Sequence, residues 1–236
     1  MLRELKSFYK KSGRGHLPWR KTKDPYKILV SELMLQQTQV SRVVPKYESF
    51  LKKFPDFKTL AKAPLIDVLK EWQGLGYNRR AKFLHQTAKI LTGEYKGKFP
   101  KEVSEIEKLP GIGHYTARAV STFAFNTSEV FIETNIRTVF THFYFPTKKI
   151  VSDKEILLLV ERDLQKSKME PRDFYAALMD YGSHLKANGV RINNKSKHYA
   201  KQSKFEGSAR QKRAALLRDA LRVGASEKEL EKLLHS

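Results

Sequence analysis

The feature that most constrains the fold is a glycine turn, LPGIG at residues 109–113, which lies between two helical segments. Pro110 ends the first helix because proline lacks an amide hydrogen and clashes with the preceding turn. Gly111 and Gly113 are predicted to adopt backbone angles that other residues resist, and a new helix is predicted near His114. The first amides of that helix lack intrahelical partners. The turn is therefore predicted to bind a phosphate, the alternative being a plain helix connection.

The charge of the chain favours a polyanionic partner. Its 236 residues include 46 Lys and Arg against 25 Asp and Glu, for a formal net charge of +21. Nucleic acid is the simplest such partner. A membrane is less favoured, because no apolar stretch approaches the roughly 20 residues that span a bilayer. No signal peptide is predicted, and we expect a cytoplasmic protein, associated with the nucleoid if the source is prokaryotic.

Length and cysteine content limit the architecture and the cofactors. A chain of 236 residues fits one domain or two closely associated lobes. The sequence contains no cysteine, which excludes disulfides, thiolate metal sites and cysteine-ligated iron–sulfur clusters. No cofactor and no metal are predicted.

A carboxylate lies inside an apolar helical segment. Asp24 and Pro25 provide an N-cap acid and a proline at the first helical position, and the helix that follows is apolar on almost every side. Glu32 lies in its middle, with Gln36 one turn later on the same face. Glu32 is either a salt-bridged structural acid or part of a polar pocket. In a pocket, desolvation would raise its pKa and make it a proton donor near neutrality.

Three other features are candidates for contact with bases. Trp19 beside Arg20 could stack on a base, or the tryptophan could fill the edge of the core. The polar run at residues 36–39, which includes Gln37, suits contact with base edges, the alternative being a polar helix end. Tyr77 follows a second glycine turn and is either an aromatic wedge or a core tyrosine.

A second carboxylate precedes a helix. Thr134 or Asn135 is predicted to cap a helix that runs to about Phe143. Glu133 therefore lies just before a helix N-terminus, where an anion is favoured. The alternative is that Glu133 only complements the helix dipole.

Residues 186–213 differ in composition from the rest of the chain. One acid, Glu206, stands against many basic residues, with Tyr199 and Phe205 between them. This composition is typical of a segment that contacts nucleic acid, the alternative being a solvated linker. The basic residues are Lys186, Arg191, Lys195, Lys197, Lys201, Lys204, Arg210, Lys212 and Arg213.

Taken together, these motifs resemble the helix-hairpin-helix DNA glycosylases, and within them the A/G-specific adenine glycosylases. The resemblance covers about residues 15–185, and its opening series is its most specific part. The matching segments are LPWR at 17–20, DPY at 24–26, SELMLQQTQV at 31–40, GLGY at 74–77, LPGIG at 109–113 and MDYG at 179–182.

The resemblance implies an all-α fold of two lobes, with the active site in the cleft between them. One lobe would comprise residues 25–145 and include the hairpin. The other would comprise 1–24 plus 146–236, with 186–213 in place of the iron–sulfur motif of the family. The partner would be double-stranded DNA with a mismatched or damaged base, bound by a monomer. The base must be flipped out, because no side chain reaches a glycosidic bond inside a stacked duplex.

The resemblance also assigns roles to residues. Glu32 matches the acid that protonates adenine, and Glu133 falls where the family has an aspartate that stabilises the sugar cation. Tyr115 and Asn135 match residues that hold this site together, and Gln37 and Tyr77 match residues near the opposite base. The chemistry requires both acids, because adenine leaves poorly unless a ring nitrogen is protonated and its departure leaves an oxocarbenium-like sugar. The candidate DNA-binding residues are Gly111, Gly113, Gln37, Tyr77, Arg20, Trp19 and Gln36.

Departures from the family pattern keep alternatives open. Tyr115 stands where lyase-active relatives carry a lysine, so no Schiff base is expected there. Glu133 is one methylene longer than the usual aspartate, and Ala176 replaces a Glu or Gln that touches adenine in relatives. The sequence shows no counterpart of the domain that reads 8-oxoguanine. The expected substrate is a mispaired adenine, and the alternatives are T:G or U:G mismatches, a non-catalytic damage-binding protein, or an RNA-binding role.

Overall fold

A computed structural model describes residues 1–197 and 204–235. These residues are mostly helical and contain one isolated bridge, between Val151 and Ser196, but no β-sheet. The all-α prediction is confirmed. The α-helices of the described residues are α1 (Leu2–Ser12), α2 (Pro25–Leu35), α3 (Val40–Lys53), α4 (Phe57–Lys62), α5 (Leu65–Trp72), α6 (Arg79–Gly93), α7 (Val103–Ile106), α8 (His114–Phe125), α9 (Thr134–Tyr144), α10 (Asp153–Ser167), α11 (Pro171–Ala187), α12 (Ala209–Val223) and α13 (Glu227–His235). Short 3₁₀ turns occur at Pro18–Arg20 and Asn193–Lys195.

The chain forms two compact units. The terminal unit comprises Met1–Lys21 and Ala117–Lys201, and the central unit comprises Thr22–Thr116 and Gln202–Ser236. These ranges differ from the predicted lobes in three segments, of which residues 22–24 only shift a boundary. Residues 117–145 belong with the chain start, because α9 packs along α11. Residues 202–236 belong with the central segment, because α12 and α13 pack on α5 and α6.

The core of the central unit surrounds α2. The Asp24 side chain accepts a hydrogen bond from Tyr26 N at 2.9 Å and Pro25 occupies the first helical position, as the sequence predicts. The remaining residues of the helix are largely buried. The Tyr26 ring packs edge-on against the Phe57 ring, with the ring centroids 4.7 Å apart. An apolar helix with one internal carboxylate is thus enclosed within this unit.

The terminal unit is organised around α11, which packs against α1 and α9. Its core includes Phe131 stacked on Tyr175, with ring centroids 3.8 Å apart. Arg14 forms an ion pair of 2.8 Å with the buried carboxylate of Asp180. This pair ties the segment after α1 to α11, the helix that carries the MDYG motif.

The described parts of the basic segment 186–213 belong to different structural elements. Its start completes α11 and continues through the 3₁₀ turn, whereas its end begins α12 in the central unit. Tyr199 and Lys201 lie outside the described residues. Within the described ranges, no helix is both long enough and apolar enough to span a membrane.

Candidate functional site

The predicted proton donor lies in the central unit. Glu32 is only 7% exposed on α2. The Tyr115 hydroxyl, at the start of α8, donates a hydrogen bond to Glu32 Oε2 at 3.1 Å. The structure therefore joins the two residues that the sequence places 83 positions apart, and it gives this carboxyl group a hydroxyl partner inside an apolar helix.

A second contact fixes the same two helices. Gln36, at the C-terminal end of α2, donates from Nε2 to Thr116 Oγ1 at 3.3 Å. Gln36 follows Glu32 by one helical turn, so the two side chains lie on the same face of the helix. Two hydrogen bonds thus join α2 to the first turn of α8, one from Tyr115 to Glu32 and one from Gln36 to Thr116. In the central unit, this arrangement favours the polar-pocket interpretation of Glu32.

Of the two glycines in the turn at residues 109–113, only Gly111 has a positive φ. Gly111 has φ of +72°, and a Cβ atom there would lie 2.5 Å from the Phe83 side chain. Thr87 Oγ1 donates to the Pro110 carbonyl at 3.2 Å and holds the turn on α6. Gly113 does not have a positive φ, and a Cβ there would meet no atom within 4 Å. The expectation of a backbone angle that other residues resist is therefore not met at Gly113, which lies in the irregular segment directly before α8 begins.

These two glycines allow a matched test of phosphate binding. Gly111→Ala is expected to lower the free energy of unfolding by about 1–3 kcal/mol, because of left-handed strain and overpacking against Phe83. Gly113→Ala is expected to leave unfolding within about 0.5 kcal/mol and to weaken DNA binding roughly tenfold, because its methyl group would lie where a phosphate approaches the amides. Urea unfolding and fluorescence anisotropy measure the two effects. Unchanged DNA affinity in Gly113→Ala contradicts the phosphate assignment.

Two exposed turns of the central unit adopt left-handed backbone at non-glycine residues. Gln37 has φ of +54° and Tyr77 has φ of +48°. The Thr38 hydroxyl donates to the Leu75 carbonyl at 3.2 Å, which joins the two turns. Such strain is uncommon outside glycine and is retained where surrounding contacts enforce it. The two residues predicted to lie near the opposite base are therefore carried by neighbouring, tightly held turns.

Arg80 holds these two turns, a role that was not predicted from the sequence. The Arg80 guanidinium is buried and donates to the carbonyls of Gln36 at 2.6 Å and Gly76 at 2.8 Å. It also donates to the carbonyl of Met34 at 3.1 Å, one of the last carbonyls of α2. Burial lowers the pKa of Arg80 to about 10. Local patterns assigned Arg80 no role of its own, and the signal that distinguishes it is its position in the first turn of a helix that packs on α2.

Trp19 and Arg20 pack within the terminal unit. Trp19 is 7% exposed within a 3₁₀ turn of the terminal unit. The Arg20 guanidinium lies 3.5 Å from the Asp180 carboxylate and over the Phe123 ring. This arrangement fits the alternative in which the tryptophan fills the edge of the core. Their contact with DNA stays a prediction without support from this structure.

The second carboxylate caps α9 in the terminal unit. Glu133, and not Thr134 or Asn135, is the N-cap residue. Its Oε1 accepts hydrogen bonds from Asn135 N at 2.7 Å and Ile136 N at 3.0 Å. Its Oε2 accepts from Asn135 Nδ2 at 3.2 Å. The sequence predicts the cap at Thr134 or Asn135, short polar residues that prefer this position, but the longer Glu133 side chain folds back onto the backbone amides.

The backbone of Asn135 is in direct contact with α11. A Cβ on Gly182 would lie 2.3 Å from the Asn135 carbonyl oxygen, so only glycine allows this approach. Within the described residues, Asn135 Oδ1 is buried without a hydrogen-bond partner. Burial lowers the pKa of Lys186, one turn further along α11, while the charge of Glu133 opposes the shift. The MDYG motif thus supports the segment that carries Glu133.

Each unit carries one of the two predicted catalytic carboxylates. The structure groups Glu32 with Tyr115 and Gln36 in the central unit, and Glu133 with Asn135 in the terminal unit. Among the described residues, no group of three or more potential metal ligands from His, Cys, Asp or Glu is present.

Comparison with known proteins identifies the family of this chain. The model of the HhH-GPD superfamily base excision DNA repair proteins matches residues 30–166. An adenine DNA glycosylase from Buchnera aphidicola subsp. Baizongia pistaciae is 46% identical over 138 residues, covering 58% of this chain and 39% of that relative. The chain spans about half the length of the adenine relatives that it matches.

Shorter relatives match over more of their own length. A thymine/uracil-DNA glycosylase from Methanothermobacter thermautotrophicus is 31% identical over 175 residues, covering 73% of this chain and 78% of the relative. The solved structure of a thermostable thymine-DNA glycosylase superposes with a TM-score of 0.71 at 28% identity, covering 82% of this chain and 89% of that one. On the evidence of the family match and of these relatives, this chain belongs to the HhH-GPD superfamily of base excision DNA repair proteins.

Proposed function

We propose that this chain is a monofunctional DNA glycosylase that hydrolyses the N-glycosidic bond of a flipped, mispaired adenine, in A:G or A:8-oxoguanine pairs. The observation that carries the proposal is the buried Glu32 carboxyl, hydrogen-bonded to Tyr115 at 3.1 Å in a largely apolar helix. Family membership supports it, and so does the identity to relatives named adenine DNA glycosylase. The substrate is double-stranded DNA, bound by a monomer in the cytoplasm or nucleoid, and no cofactor is needed.

Glu32 serves as the general acid of the proposed reaction. Burial in an apolar helix disfavours a charged carboxylate and so favours the proton-bearing form. Oε2 accepts the hydrogen bond from Tyr115, and we assign the transferable proton to Oε1. Its transfer to a ring nitrogen of adenine lets the base leave as a neutral species with the electrons of the glycosidic bond.

Glu133 serves as the anion that stabilises the developing sugar cation. The N–H groups of Asn135 and Ile136 hold its carboxylate at the N-terminus of α9, where the helix dipole favours negative charge. The extra methylene relative to aspartate is taken up by this folded-back geometry. Water then adds to the sugar carbon and releases a proton to the solvent, and an abasic site remains.

A T:G or U:G mismatch is the second candidate substrate. Two observations favour it: the thymine-type relatives match over most of their length, and Ala176 is buried, at 2% exposure. A buried methyl group cannot provide the base contact that relatives make with Glu or Gln at this position. Thymine needs less protonation to leave than adenine, but it still requires the cation-stabilising carboxylate.

A panel of labelled duplexes tests the proposal. Each duplex holds A, T, U or 8-oxoguanine opposite each partner base, and alkali converts any abasic product into a strand break. We expect breaks at adenine opposite G or 8-oxoguanine. Breaks at T or U opposite G would transfer the assignment to the second candidate. Tight binding without breaks in any duplex would indicate a non-catalytic damage-binding protein, and tighter binding of structured RNA than of duplex DNA would contradict the DNA assignment.

The chain is expected to lack lyase activity. Tyr115 has no amine with which to form a Schiff base, so borohydride should trap no covalent enzyme–DNA adduct during turnover. Gel electrophoresis of the reduced mixture measures this, with a lyase-active glycosylase as the positive control. An adduct would overturn the monofunctional assignment. Peptide mapping would then examine Lys186 first, because burial lowers the pKa of this half-buried amine.

A further inference from the structure

We propose that Arg210, which the C-terminal helix pair contributes, is a positioning residue for Tyr77 when that ring enters the duplex. The inference rests on the proposed function, in which Tyr77 lies near the opposite base. It concerns a segment beyond residues 30–166, the range that the family model matches. The role of Arg210 therefore does not follow from the family match and has to be argued from contacts within the central unit.

The contact between Arg210 and Tyr77 is specific. Arg210 Nη1 donates to the Tyr77 hydroxyl at 2.7 Å, and its guanidinium carbon lies 5.7 Å from the ring centroid. Arg80 lies 5.5 Å from the same centroid. A cation within about 6 Å of an aromatic centroid is attracted to the ring. Two guanidinium groups from distant parts of the sequence therefore hold one tyrosine ring.

The Arg210 backbone is held in place independently of this contact. Apolar side chains of α12 and α13 are buried, and Lys82 on α6 forms an ion pair of 3.5 Å with Glu231 on α13. Arg79 donates to the Leu234 carbonyl near the end of α13. The buried apolar side chains are Leu217, Leu221, Leu230 and Leu234. The helix pair thus presents Arg210 to Tyr77 as part of a packed structure.

Tyr77 is exposed, so a contact that orders its ring before binding would favour the complex with DNA. The ring is 37% exposed on a turn with φ of +48°, so α6 packing alone does not enclose it. Fixing an exposed side chain in advance lowers the entropic cost of its ordering when a complex forms. The same guanidinium brings positive charge to the turn that would face the phosphate backbone. We therefore expect Arg210 to raise the affinity for damaged DNA through Tyr77.

A double-mutant cycle tests the coupling. The proteins are the wild type, Arg210→Ala, Tyr77→Ala and the double variant, with Arg218→Ala as the matched control, since it removes one exposed arginine from the same helix. The probe is a duplex with a tetrahydrofuran abasic analogue opposite guanine, measured by anisotropy. Arg210→Ala is expected to weaken binding about tenfold, and Arg218→Ala less than about twofold. In the Tyr77→Ala background, Arg210→Ala should weaken binding no more than Arg218→Ala does.

Partial recovery by Arg210→Lys, which keeps the charge and one donor, would support the proposal, and circular dichroism would show that each variant is folded. If Arg210→Ala weakens binding equally in both backgrounds, Arg210 contacts DNA independently of Tyr77, and the proposal is overturned. Binding of the abasic analogue requires no base release. Coupling in a protein without glycosylase activity would thus refute the proposed function alone, whereas activity without coupling would refute this inference alone.

Discussion

Replacing Glu32 by glutamine is expected to lower the single-turnover rate of base release by about 10³-fold, within the range for loss of a general acid. Glutamine has nearly the same shape, and its amide oxygen can still accept the hydrogen bond from the Tyr115 hydroxyl. The α2 core should therefore remain intact while the transferable proton is lost. The measurement is the rate of alkali-labile site formation with enzyme in excess over a duplex that holds adenine opposite 8-oxoguanine.

Two controls separate a chemical effect from a structural one. Binding of the abasic-analogue duplex by Glu32→Gln should stay within about threefold of wild type, because that ligand has no base to protonate. Glu48→Gln removes an exposed carboxylate from α3 of the same unit and should leave the rate unchanged. Equal rates for the wild type and Glu32→Gln would refute the assignment of the acid.

Replacing Arg80 by methionine is expected to lower the free energy of unfolding by about 3 kcal/mol or more. Methionine fills similar apolar space but donates no hydrogen bonds, which leaves the carbonyls of Met34, Gln36 and Gly76 without this donor. Each buried polar group left unsatisfied costs about 1–3 kcal/mol. Both turns should loosen, so DNA affinity should fall together with stability. Urea unfolding, monitored by tryptophan fluorescence and far-ultraviolet circular dichroism, measures the change.

The controls for Arg80 separate geometry from charge. Arg42→Met removes an exposed arginine from α3 and should cost less than about 0.5 kcal/mol. Arg80→Lys keeps the charge, but a single ammonium group cannot span carbonyls on both turns as the planar fork does, so it should recover less than half of the loss. An Arg80→Met protein with the stability of the wild type would show that the two turns are held by other contacts.

Local sequence patterns predicted the parts of the site that depend on near neighbours. The start of α2 at Asp24 and Pro25, the turn at Gly111 and the start of α8 follow from capping and from glycine and proline chemistry. The burial of Glu32 follows from the apolar residues around it on one helix. All of these depend on residues within a few positions, where the rules of local structure are strongest.

The parts that sequence analysis missed depend on tertiary contacts. Arg80 resembles any basic residue at a helix start until α6 packs on α2, which converts it into a buried donor to carbonyls more than 40 positions away. Glu133 was not predicted as a cap because glutamate is uncommon there. The C-terminal helices belong to the central unit because Leu217 and Leu230 are buried there, a placement that periodicity alone does not determine.

The central claim is that Glu32 delivers a proton to a ring nitrogen of the departing base. Substrates that lack one candidate nitrogen test this claim most directly. The duplexes hold 7-deazaadenine or 3-deazaadenine opposite 8-oxoguanine, with adenine as the reference base. Each duplex is treated with the wild type and with Glu32→Gln in single turnover. We predict that one deaza substrate slows the wild type nearly to the rate of Glu32→Gln on adenine, and that the substitution adds little further loss on that substrate. If Glu32→Gln lowers the rate by the same factor on all three substrates, Glu32 does not act by protonating the base.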